Sequence, residues 1–142
     1  MVGKLTVEQI GSNWQIIKEA LNAAPSPLSD KEGKYSRILY SLMTGVYQCW
    51  FVFDEHETLK ACIITTIQYD DSSNNKNLLI YLVYSYKTLD KKDLARSLLA
   101  LKKYAKSLKC TQITGYTSNS GIISLVKKLN GNTDYTFFAL EI

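Results

Sequence analysis

The chain has 142 residues, 46% of them hydrophobic and 21% charged, with a formal net charge of +4. That length suits one domain, or two small ones. The apolar share excludes a disordered chain, and no run reaches the roughly 18 apolar residues that span a bilayer. The three cysteines, Cys49, Cys62 and Cys110, fit neither a disulfide framework nor zinc-ligand spacing and read as reduced core residues, and the N-terminus lacks the basic-then-apolar layout of a secretory signal.

Val7, Ile10, Trp14, Ile17 and Leu21 recur at alternating spacings of three and four, which predicts a helix over residues 7–22, and Thr6 with Gln9 forms a capping box at its start. The following stretch, Asn22-Ala-Ala-Pro-Ser-Pro-Leu-Ser, holds both prolines and breaks the pattern. A second helix is expected from Asp30 or Lys31 to Thr44, with Tyr35, Ile38, Leu39 and Leu42 as its stripe and Gly45 as its stop. Residues 48–54 and 59–69 read as strands joined by a polar tip, Glu55-His-Glu-Thr, and 78–86 as a third strand after a polar loop over 70–77. Both faces of these strands are apolar, so both faces of the sheet are expected to be covered.

Residues 91–108 read as a helix with Leu94, Leu98, Leu101, Ala105 and Leu108 inward, and Lys92, Arg96, Lys103 and Lys106 outward with Leu99 among them. Asp90 fits its N-cap, and Asp93 suits the positive end of its dipole. A strand at 112–117, a helix at 121–129 stopped by Asn130-Gly131, and a closing strand at 135–142 complete the chain. There is no internal repeat and no linker. The expectation is a single α+β domain over residues 1–142 with a mixed central sheet. An antiparallel meander comes first and strand–helix–strand crossovers follow, with helices on both faces.

The charge is uneven. Residues 1–86 carry a net −2, residues 87–109 a net +6, and residues 110–142 a net of zero. The basicity therefore belongs to one segment, the turn and helix after the third strand.

This order of elements resembles the GNAT superfamily, the acyl-CoA N-acyltransferases, from about Leu5 to Ile142. The resemblance implies a cofactor pyrophosphate at the start of the long helix. It would be held by a turn of the form Arg/Gln-x-x-Gly-x-Gly/Ala, whose backbone N–H groups bind the phosphates. The matching stretch is Lys87-Thr-Leu-Asp-Lys-Lys-Asp-Leu-Ala, which has no glycine. Lys87, Lys91 and Lys92 can contribute only as point charges, Ala95 fits the small-residue slot, and Asp90 and Asp93 stand where they would repel a diphosphate. The tyrosine general acid of active members falls at Val126 or Lys127, depending on register. Asn119 matches an asparagine frequent after the fifth strand. Where a general base would be sought, the preceding strand offers Tyr81, Tyr84, Ser85 and Tyr86. No catalytic set emerges.

A narrower resemblance lies in Leu42-Met-Thr-Gly-Val-Tyr-Gln-Cys-Trp, with Gly45, Gln48 and Trp50 as its pattern, and in Lys103-Tyr-Ala-Lys-Ser-Leu-Lys-Cys. These look like small GNAT-like proteins encoded among bacteriophage virion genes, of internal virion or ejection type. The implied function is a noncatalytic virion structural, assembly or ejection component. It would bind portal, capsid, tail or ejection proteins, reside in the virion or in the host cytoplasm during assembly, and use no cofactor. The alternative is an active acetyl-CoA-dependent N-acetyltransferase with an atypical cofactor loop, using Lys87, Lys91, Lys92, Ala95 and Asn119.

Three features allow a plain and a functional reading. His56, the only histidine, sits between acids at a hairpin tip, where neighbouring side chains do not converge on one metal ion, so no metal site is expected. The cationic face of Lys92, Arg96, Lys103 and Lys106 is either a solvated helix face or an interaction surface. Lysines along one side of the helix would also suit nonspecific contact with nucleic-acid phosphates. The ten tyrosines suit half-buried strand packing or a protein-binding surface.

Overall fold

The computed structural model describes residues 1–23, 33–140 and 142. Five strands form one sheet in chain order: β1 (Val2–Lys4), β2 (Tyr47–Phe53), β3 (Leu59–Asp70), β4 (Asn75–Ser85) and β5 (Gln112–Gly115). The first four pair antiparallel, and β4 with β5 pairs parallel. This is the expected α+β arrangement with a mixed sheet between helices.

Helices α1 (Val7–Ser12), α2 (Trp14–Ala23) and α3 (Lys34–Met43) cover one face. Ile17, Leu21, Ile38 and Leu42 pack there on Cys49, Phe51, Cys62 and Ile64, and Trp14 and Tyr35 close the edges. Helix α4 (Lys91–Ser107) covers the other face, where Leu101 and Ala105 meet Trp50, Val52, Ile63 and Leu78. The indole of Trp50 meets Tyr104 edge-on at 5.2 Å. Cys49 and Cys62 are buried with sulfurs 3.6 Å apart, and all three cysteines are free thiols. Cys49 lies diagonal to Cys62 across the β2–β3 ladder, where Ile64 is its direct partner. Among the described residues, no helix is long and apolar enough to cross a membrane.

The local signals act as chemistry requires. Thr6 and Gln9 form the reciprocal capping box of α1. Gly45 ends α3 at φ +80°. Asn130 takes φ +61° after α5 (Ser120–Lys128), and the N–H groups of Asn130 and Gly131 reach back to the carbonyls of Lys127 and Val126, a Schellman stop. A Cβ on Gly131 would sit 2.4 Å from Val126 Cγ1, so glycine is required there. The same motif ends α4 with Lys109 at φ +60°.

Several expectations are corrected. The single helix over 7–22 is two helices, because at the break Asn13 Nδ2 donates to the Gln9 carbonyl and Ser12 Oγ to the Glu8 carbonyl, side chains competing for helix acceptors. The expected start of the second helix at Asp30 or Lys31, and most of the proline stretch, lie outside the described residues. The polar loop before β4 is shorter than expected, since β3 and β4 stay paired out to Asp70 and Asn75. The edge strand β1 was not expected. The closing strand does not form among residues 135–140: they take no regular secondary structure and are exposed, and the ring of Phe137 meets that of Tyr116 at 4.5 Å.

Candidate functional site

The parallel pair is short. Asn77–Ile80 of β4 align with Gln112–Gly115 of β5, and pairing stops at Ile80 and Gly115. β4 continues to Ser85. On the β3 side its register shifts at this point, with Thr65 opposite Ile80 and Ile64 opposite Leu82, so Tyr81 is the extra residue of a bulge. Beyond the bulge, residues 82–85 pair with β3 and, among the described residues, with no strand on their other edge, which leaves a gap in the sheet. Helices α4 and α5 both begin at this end of the parallel pair. The gap thus lies outside the carboxyl ends of two parallel strands, from which the chain runs on into α4 and α5, the place where open sheets receive ligands.

The α4 end of this gap is built by a charged cluster. Asp90 Oδ1 accepts the N–H of Asp93 at 2.8 Å, and Asp93 Oδ2 accepts the N–H of Asp90 at 3.0 Å, a reciprocal capping box. The Asp93 carboxylate is only 2% exposed, receiving Lys60 Nζ on one oxygen and Arg96 Nη2, at 2.9 Å, on the other. Burial alone would raise its pKa. The Lys60 hydrogen bond, the Asp90 N–H and Arg96 outweigh burial and bring it down to about 2. In return, the hydrogen bond to Asp93 raises the pKa of Lys60. Ser97 Oγ, also buried, donates to the Asp93 carbonyl at 2.8 Å.

This corrects two expectations. The inward stripe of α4 is Asp93, Ser97, Leu101 and Ala105, while Leu94, Leu98 and Leu108 are half-buried beside it. The repulsion expected from Asp93 is also absent, because its charge is turned inward and the Lys60–Asp93–Arg96 group carries a formal +1. Arg96 therefore belongs to this cluster as well as to the outer face, its side chain being 53% exposed.

Of the other residues singled out, Lys87, Lys91, Lys92 and Ala95 are exposed around the α4 N-terminus. The backbone N–H of Lys87 donates to the Lys60 carbonyl at 3.2 Å. Asn119 is the N-cap of α5, its Oδ1 accepting from the N–H groups of Gly121 and Ile122. Lys103 and Lys106 are exposed farther along α4. Tyr86, at the end of β4, donates its hydroxyl to the Ile16 carbonyl at 2.7 Å, and burial pushes its pKa well up, so it stays a protonated phenol. His56 lies in the β2–β3 turn, where Asp54 Oδ1 accepts its N–H, and among the described residues no three His, Cys, Asp or Glu side chains group as a metal site. Lys60 and Tyr81 take their places only in the fold. Lys60 is 33 residues from Asp93 and no local pattern links them.

No protein-family model matches this sequence, and no curated protein does. Solved structures do match. A GNAT family acetyltransferase from Staphylococcus aureus superposes with TM-score 0.65 at 13% identity, covering 100% of this chain and 98% of its own. The chain has the GNAT fold. An aminoglycoside acetyltransferase from an uncultured soil metagenomic sample gives TM-score 0.69 at 14% identity, over 100% and 97% of the two chains. The ribosomal-protein-alanine N-acetyltransferase of Brucella melitensis biovar Abortus 2308 gives 0.67 at 8% identity, over 100% and 99%. These neighbours are named for acyl transfer, which overturns the expectation of a noncatalytic bacteriophage virion protein and favours its alternative. At such identities the likeness establishes the fold, and sites are grafted onto folds.

Proposed function

We propose that the protein is an acetyl-CoA-dependent N-acyltransferase with an atypical cofactor loop. The observation that carries this reading is the parting of β4 from β5 at Ile80 and Gly115, next to the bulge at Tyr81. The open edge of residues 82–85 presents backbone groups to an extended chain bearing amides, as a pantetheine arm does. At the mouth, Lys87, Lys91 and Lys92 supply positive charge, and the N–H groups of Lys91 and Lys92 have no protein acceptor among the described residues. This donor set fits a phosphorylated thioester cofactor, held by lysine side chains and two helix N–H groups in place of a glycine turn. When bound, the cofactor supplies an activated acyl thioester.

The chain's own part is to bind and orient. Holding the thioester along β4 and admitting an amine from the gap raises the effective concentration of the pair, which alone can lower a barrier by several kcal/mol. Tyr86 is tied to Ile16 and serves the packing of α2 on β4. Calorimetry with acetyl-CoA tests the reading: micromolar binding is expected, weakened about tenfold by Lys87→Ala through loss of one phosphate contact. Absence of acetyl-CoA binding, together with no transfer to a panel of primary amines, overturns it.

A further inference from the structure

We propose that the outer face of α4 is the docking surface for an acidic carrier protein that presents the acyl group as a thioester on a 4′-phosphopantetheine arm, and that this carrier is used in preference to free acetyl-CoA. The inference rests on the acyltransferase reading and names its donor.

Three observations support it. The first is what the α4 N-terminus has given up. Free coenzyme A brings a diphosphate and a further ribose phosphate, whereas the arm on a carrier brings a single phosphodiester. Here the N–H groups of Asp90 and Asp93 are already taken by each other's carboxylates, and the turn has no glycine to let the backbone close on a diphosphate. Lys91 and Lys92 suffice for one phosphodiester. The second is the extent of the charge. Residues 87–109 carry a net +6, and Asp93, the only acid between Lys91 and Lys109, faces inward. From Lys91 to Lys106 the cationic face runs about 22 Å at the rise of an α-helix, far past the gap that receives the arm. A phosphodiester at the α4 N-terminus leaves Lys103 and Lys106 without a role, and an acidic protein surface gives them one. The third is Leu99, 56% exposed in the middle of that face. An apolar centre with a charged rim is the anatomy of a protein interface, and complementary charge steers such partners together.

In the reaction, the amine nitrogen attacks the thioester carbonyl, the C–N bond forms and the C–S bond breaks. The amine's proton goes to the leaving thiolate, so the thiol departs on the carrier's arm.

The full chain is assayed with two donors, acetyl-CoA and an acetylated acidic acyl carrier domain, and with the double variant Lys103→Glu/Lys106→Glu, whose two exposed sites lie outside the gap. Transfer from the carrier is expected to be about tenfold more efficient than from acetyl-CoA, and the double variant is expected to erase that advantage while leaving acetyl-CoA turnover unchanged. Binding of the unacylated carrier, read by calorimetry, is expected to weaken about tenfold in the same variant and to fall with salt. Equal use of the two donors, or a charge reversal without effect on the carrier, overturns the proposal. So does a DNA duplex that binds the face more tightly than the carrier and is lost in the double variant, which would make this a nucleic-acid surface. If neither donor supports transfer and acetyl-CoA does not bind, the acyltransferase reading fails, whereas carrier binding lost on charge reversal upholds the docking surface.

Discussion

Buried polar groups show most clearly what single residues contribute. Thr65 is fully buried between two partners: Trp50 Nε1 donates to its hydroxyl at 3.0 Å, and that hydroxyl donates to Gln48 Oε1 at 2.9 Å. Gln48 Nε2 in turn donates to the Gly45 carbonyl, tying the end of α3 to β2. Gly45, Gln48 and Trp50, a bare pattern in the sequence, are thus one hydrogen-bonded relay. Thr65→Val keeps the shape and leaves an indole N–H and an amide oxygen unsatisfied, so it is expected to cost about 2 kcal/mol in denaturant unfolding. Asp93 is the ionic counterpart. Its pKa falls from 3.8 to about 2 on folding, so the folded state binds its proton less readily than the unfolded chain. The stability it contributes is present in full above the unfolded value and is lost as pH falls through about 4 toward 2. Asp93→Asn is expected to flatten that part of the stability–pH curve and, at neutral pH, to lower stability by removing the charge that Lys60 and Arg96 share. A variant whose acid limb matches the parent's would contradict this.

At the scale of elements, legibility followed the strength of the local signal. The Thr6–Gln9 capping box, the Asp90 N-cap, the Gly45 stop and the Asn130-Gly131 stop are set by side chain and backbone geometry within a few residues, so they could be read directly. Asn13 was harder, because its amide acts against the helix it interrupts. The edge strand β1 has three residues and no periodicity, and exists only because β2 offers it partners. The closing strand failed in the opposite way. Tyr135, Phe137, Phe138 and Leu140 have strand propensity, but propensity needs a ladder, and Phe138 stands 85% exposed. By hydrogen exchange, the amides of 135–140 are expected to exchange close to the intrinsic rate, while those of Ile63 and Ile64 in central β3 are protected to the level of global unfolding. Protection at 135–140 comparable to β3 would show that this segment pairs in solution.

At the scale of the whole molecule, the site is a property of sheet topology. A meander followed by one parallel strand leaves a single place where neighbouring strands run the same way and then part, and both following helices start there. A ligand bound along the open edge of β4, next to the start of α4, stabilises the folded chain that holds it. Saturation at 100 times the dissociation constant adds about 2.7 kcal/mol. Acetyl-CoA is accordingly expected to raise the melting temperature of the chain. The shift should shrink with salt, because Lys87, Lys91 and Lys92 are exposed point charges. A melting temperature indifferent to acetyl-CoA would count against the gap as a cofactor site.

The sequence by itself determined the order of elements from the second expected helix to α5, the two-faced burial of the sheet and the concentration of positive charge in residues 87–109, because periodicity, capping and composition are local and survive without a fold. It also showed the missing glycines. It misjudged Asp93, since a carboxylate beside lysines reads as an exposed acid until Lys60, 33 residues away, is brought under it. Only the tertiary structure decided which face of α4 turns inward, where β4 and β5 separate, and that residues 135–140 do not join the sheet. Each of these depends on contacts between segments distant in the chain, and the free energy of such contacts is not written in either segment alone.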